Sequence, residues 1–122
     1  MTKHEQTIQE FLRHQKEHGW QRYGLRKRLN AIFDEEIPHL QFIPDAFRVD
    51  VSGHGTVTLL EVDGHSMLTP VKLKKIVNLW YELDVRSWSL NLITINLFTG
   101  AVGKTPDIEL ARIWLRKDYG LA

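Results

Sequence analysis

The sequence predicts an α/β domain with a small mixed sheet of about four strands flanked by helices. Three observations carry this expectation. Strand patterns at 46–51 and 56–63 are separated by Ser52-Gly53-His54-Gly55, which reads as a hairpin turn. An amphipathic helix pattern then runs from Pro70 to about Leu83. Beyond it, Trp88 to Phe98 is a long apolar run with β-branched residues. A helix of that length is the usual crossover between parallel strands, so the last strand is expected to lie parallel to its neighbour.

Each element has its own signature. Residues 3–18 read as a helix, with Ile8, Phe11 and Leu12 as its apolar stripe and Gly19 as its stop. Residues 24–36 read as a second helix, with Leu25, Leu29, Ile32 and Phe33 on one face. Its basic start and acidic end oppose the helix dipole, so something else must compensate. Residues 37–43 read as a short extended piece and a candidate edge strand. Ala46 to Val51 alternates apolar and polar, as a strand with one buried face does. Thr69 is a good N-cap for the helix whose first position suits Pro70, and Leu73, Ile76, Val77 and Trp80 form that helix's buried stripe. Thr105-Pro106-Asp107 opens a last amphipathic helix at about 106–118.

Composition narrows the class. The 122 residues suit a single domain, with its core at about 3–98. The 43% apolar and 25% charged shares are those of an ordinary globular chain. The absence of cysteine removes disulfides, thiolate metal sites and cysteine nucleophiles together. It fits a reducing compartment, and the polar N-terminus lacks the apolar run of a signal peptide, so a cytoplasmic location is expected. No stretch is long and apolar enough to suggest a membrane span. Net charge is only +1, but the basic residues cluster: Arg22, Arg26, Lys27 and Arg28 form one group, and Lys72, Lys74 and Lys75 another. Arg112, Arg116 and Lys117 form a third group, and each of the three also reads as a solvated helix face.

Acidic residues carry the chemistry. Asp45 follows Pro44 at the head of the first hairpin strand, and Glu61 and Asp63 sit two apart near the end of the second. Residues two apart on a strand share a face, and the hairpin brings Asp45 towards that face. Such a cluster is costly unless a proton or cation offsets it, and a hard divalent ion with oxygen ligands is the natural partner. Asp45 can also serve simply as a turn residue after proline, and Asp63 as a strand end before Gly64. Glu61 is harder to explain that way, because it interrupts an apolar strand.

The run Pro44-Asp45, strand, turn, Glu61-Val62-Asp63, loop and helix resembles the PD-(D/E)XK nuclease superfamily. The element order over residues 3 to about 98 resembles it as well. The resemblance implies a restriction endonuclease-like core and Mg²⁺ or Mn²⁺-dependent hydrolysis of phosphodiester bonds in DNA. It implies metal ligation by Asp45, Glu61 and the Val62 carbonyl, with Glu5 from the leading helix, or less well Glu10. One departure stands out: the superfamily's lysine falls at Asp63. Asp63 would then be an extra ligand or a water-orienting group, and Lys72, from the first turn of the next helix, is the substitute charge stabiliser. His65 is placed to reach a phosphate or move a proton. Loss of the motif lysine also fits an inactive relative that binds nucleic acid, or that inhibits or recruits a protein partner.

The expected nucleic-acid contacts are Arg22, Arg26, Lys27 and Arg28, with Trp20 and Tyr23 as stacking residues between the basic side chains. Trp20 and Tyr23 also suit a packing role between the two helices. A small core of this type often works as a homodimer. His14 and His18 form an i, i+4 pair that lacks a third ligand. Gly100 to Thr105 ends in Gly-Lys-Thr, but its first glycine is one position too close for a phosphate-binding loop.

Overall fold

The computed structural model describes residues 1–38, 40–63 and 70–105. The expected N-cap Thr69, His65 and the last helix at 106–118 lie outside the described residues. Within them are α1 (Lys3–Arg13), β1 (Trp20–Gln21), α2 (Leu25–Phe33), β2 (Ala46–Asp50), β3 (Thr56–Asp63), α3 (Pro70–Asp84), β4 (Ser89–Asn96) and β5 (Val102–Thr105). The five strands form one open sheet in chain order. β1, β2 and β3 pair antiparallel, β3 and β4 pair parallel, and β5 closes antiparallel on β4.

Strand alternation sorts the apolar residues onto two faces. Phe47, Val57, Leu59, Leu90 and Leu92 pack beneath Leu25 and Leu29 of α2 and Ile76, Leu79 and Leu83 of α3. Ala46, Leu60, Val62 and Ile95 pack on the other face beneath Ile8 of α1. β4 therefore feeds both cores, as its apolar run suggests.

The helices are shorter than their sequence patterns. α1 starts where the Thr2 side chain accepts from the Glu5 amide (3.1 Å), and it stops at Arg13. His14 and His18 consequently do not share a helix face, and the His18 carbonyl instead accepts from Arg48 (2.9 Å). α2 stops at Asp34, which adopts a left-handed φ of 52°. Its adverse charge order is compensated within the chain. Glu35 accepts from Arg86 beyond α3 (2.6 Å), and Glu36 from Arg26 (2.7 Å).

Two strands differ from expectation. Residues 37–43 form no strand, because Trp20 and Gln21 already occupy the outer edge of β2, opposite Arg48 and Phe47. The 37–43 segment is tied instead by Ile37 N–H to the Asn30 side chain (2.9 Å), and it buries Ile37, Leu40 and Phe42 in the α2–α3 core. The sheet gains a fifth strand from Val102–Thr105, so the Gly-Lys-Thr run is a strand and not a phosphate loop.

The β2–β3 turn is closed by Asp50 Oδ1, which accepts from Ser52 N–H (2.9 Å) and Ser52 Oγ–H (2.6 Å). Gly55 then turns with φ 95°, and a Cβ there would fall inside the Trp88 indole. Gly53 has φ 62° but faces open space. Gly55→Ala is expected to cost about 3 kcal/mol or more, against about 1 kcal/mol for Gly53→Ala. Urea unfolding midpoints of the two variants measure the difference.

Candidate functional site

The site forms where β3 outruns β2. The pairing of β2 with β3 ends at Ala46 opposite Leu60, so the Val62 peptide lies past the ladder. Side chains meet it instead. Val62 N–H donates to Asp45 Oδ2 (2.7 Å), and the Val62 carbonyl oxygen lies 3.1 Å from His4 Nε2 on α1. That same His4 nitrogen lies 3.3 Å from Asp45 Oδ1. Asp45 thus sits at the junction of β2, β3 and α1.

Glu61 is the one buried charged residue among those described, at 2% exposure. Its Oε1 accepts from Asp45 N–H (3.2 Å), and its Oε2 accepts from Lys72 Nζ (3.3 Å). Lys72 Nζ also donates to Asp63 Oδ2 (3.3 Å). The two acids share a strand face, and the first turn of α3 brings one ammonium to both. Lys72 offsets the clustered charge but does not neutralise its effect. Burial, and then the Asp45 charge, push the Glu61 carboxyl up to about 7 against the pull of Lys72. Burial alone would lower the Lys72 ammonium; the charge of Glu61 and the hydrogen bond to Asp63 lead the terms that hold it above its ordinary value.

The structure therefore brings Asp45, Glu61, Val62, Asp63 and Lys72 together at one end of the sheet. It does not bring Glu5. Both Glu5 oxygens are taken by the Arg22 guanidinium (2.7 and 2.9 Å), whose Nε–H donates to the Asp45 carbonyl (2.7 Å). The hydrogen bond from Arg22 holds the Glu5 carboxyl below its ordinary value. Glu10 is exposed on the same helix. The side chain α1 does deliver is His4, which the sequence reading missed. Its signal was spacing: His4 stands four residues before buried Ile8, on the stripe that faces the sheet.

The basic segment is divided. Arg22 is committed to Glu5 and Asp45, and Arg26 to Glu36. The Trp20 ring is not presented for stacking: it packs edge-to-face on Phe11 (5.4 Å) against the α1 core, which is the packing role its position also suited. Tyr23 (78% exposed), Lys27 and Arg28 face solvent. Tyr23 and Arg26 line a cleft with Gln41, Ile43 and Pro44, which ends one residue before Asp45.

Asp45, Glu61 and the Val62 carbonyl offer hard oxygen donors, the set that Mg²⁺ or Mn²⁺ takes. Among the described residues no three histidine, aspartate or glutamate side chains are grouped as a metal-binding set, so a backbone oxygen is needed to complete one. No helix among the described residues is long and apolar enough to cross a membrane. Comparison with family models, curated proteins and solved structures finds no match for the chain.

Proposed function

We propose that this chain is a metal-dependent nuclease of the PD-(D/E)XK type, with a restriction endonuclease-like core, that hydrolyses phosphodiester bonds in DNA. The observation that carries the proposal is the meeting of Asp45, buried Glu61 and Lys72, from three different elements, at the open end of one sheet. Asp45, Glu61 and the Val62 carbonyl would hold Mg²⁺ or Mn²⁺. The bound ion would polarise the phosphodiester and lower the pKa of an attacking water. Lys72 would stabilise the charge that develops on phosphate oxygen, and Asp63 would hold the Lys72 ammonium in place. Asp63 thus acts through the lysine that replaces the one it displaced from the motif. Exposed Tyr23, Lys27 and Arg28 would meet the nucleic acid beside the cleft, and a homodimer would offer a duplex more surface than one short domain.

A second reading has its own observation. Lys72 already satisfies Glu61 and Asp63, and His4 already meets Asp45, so the site is closed by its own side chains. That suits a nuclease-fold protein that binds nucleic acid or a protein partner without cutting.

Plasmid cleavage with Mg²⁺ or Mn²⁺ separates the two. Nicking by the wild-type chain that falls at least about 10²-fold in Glu61→Ala supports the nuclease. DNA retention without metal and without cleavage supports the second reading.

A further inference from the structure

We infer that His4 is itself a ligand to the divalent ion, and that its imidazole biases the site towards Mn²⁺ or Co²⁺ over Ca²⁺. This rests on the metal-binding reading above. The argument is one of distances. His4 Nε2 stands 3.1 Å from the Val62 carbonyl oxygen and 3.3 Å from Asp45 Oδ1. In an octahedral shell with bonds of about 2.1 Å, neighbouring ligand atoms are about 3.0 Å apart. The three atoms therefore already keep the mutual spacing of adjacent ligands around one ion. They come from α1, β3 and the start of β2, so the fold and not a single loop sets that spacing.

The placement of His4 is also anchored. Ile8, one turn on, is fully buried against Leu60 and Val62, which fixes the helix over the end of β3. Glu5, the neighbouring acid, is held by Arg22, which leaves His4 as the α1 side chain aimed at the site. Imidazole favours late first-row ions, whereas Ca²⁺ and Mg²⁺ favour oxygen, so one histidine in an oxygen set shifts preference towards Mn²⁺ and Co²⁺.

The test uses the full chain and Mn²⁺ alone. Pulsed electron paramagnetic resonance of the Mn²⁺-loaded protein reads ¹⁴N coupling, and calorimetry reads affinity. His4→Ala should abolish the ¹⁴N coupling and weaken Mn²⁺ about 10–100-fold, with a smaller loss for Ca²⁺. Alanine is a good helix former at this half-exposed position, and an unchanged unfolding midpoint verifies the fold. Asp45→Asn, which keeps an acceptor for the Val62 amide, should weaken both ions. Mn²⁺ bound in an Asp45-dependent manner, with no ¹⁴N coupling and no effect of His4→Ala, overturns the role of His4 alone. No Mn²⁺ uptake by the wild-type chain removes the metal site, and His4's role with it.

Discussion

Lys72→Ala is expected to reduce Mg²⁺-dependent cleavage by roughly 10²–10³-fold, the usual cost of losing one group that stabilises charge in the transition state. The second arm is more discriminating. Asp63→Lys in the Lys72→Ala background returns a lysine to the motif position, two residues from Glu61 on the same face of β3. It should recover a substantial part of the lost rate. Lys72 and Asp63 meet at 3.3 Å, so the native pair places the ammonium where the strand itself offers an acid. If Lys72→Ala cleaves like wild type, Lys72 is only a structural cation. If the double variant stays as inactive as the single, position 63 does not substitute for Lys72. Single-turnover rates on a nicked-plasmid assay give both answers.

The second large effect is on stability against pH. Glu61 is buried, and its carboxyl rises from an ordinary 4.5 to about 7. A carboxyl raised on folding binds its proton more tightly in the folded chain. Its contribution is therefore full below about pH 4.5 and is lost as pH rises through about 7. A gap of this size corresponds to about 3 kcal/mol. Urea midpoints of the metal-free chain should fall between pH 5 and pH 7.5 and then level off. Glu61→Gln mimics the protonated acid, so it should flatten this slope and be more stable than wild type at pH 8 by about 1–3 kcal/mol. Glu5 and Asp50 act in the opposite sense, since hydrogen bonds from Arg22 and Ser52 hold their carboxyls low. Their contributions are lost only at more acid pH. A Gln variant less stable than wild type at pH 8 would mean that the ion pair with Lys72 outweighs the burial of Glu61.

Much of this arrangement was legible in the residues. The β2–β3 hairpin follows from two alternating runs around Ser52-Gly53-His54-Gly55. The parallel β4 follows from the length of the helix before it. The substitute lysine was also legible: an acid at the motif's basic position directed attention to the next cation within reach, and Lys72 does reach Glu61. The elements that escaped were too short or too dependent on partners. β1 is two residues long, so Trp20 and Gln21 cannot show a period. Residues 37–43 have the composition of a strand, but their ladder edge is occupied by β1, and composition cannot report that competition. β5 depends on a turn in which Asn96 Oδ1 accepts from the Phe98 and Thr99 amides, with Gly100 at φ 74°. Glu5 and His4 are adjacent on α1, and only Arg22, seventeen residues after Glu5, decides which of them faces the site.

Anomalous diffraction from a crystal of the full chain soaked in Mn²⁺ addresses the site most directly. The expected result is one peak in contact with the carboxylates of Asp45 and Glu61 and the carbonyl of Val62, with Lys72 turned from Glu61 towards Asp63. A site that stays closed by the Lys72–Glu61 ion pair, with no peak between Asp45 and Glu61 at saturating Mn²⁺, contradicts the metal centre and the nuclease built on it.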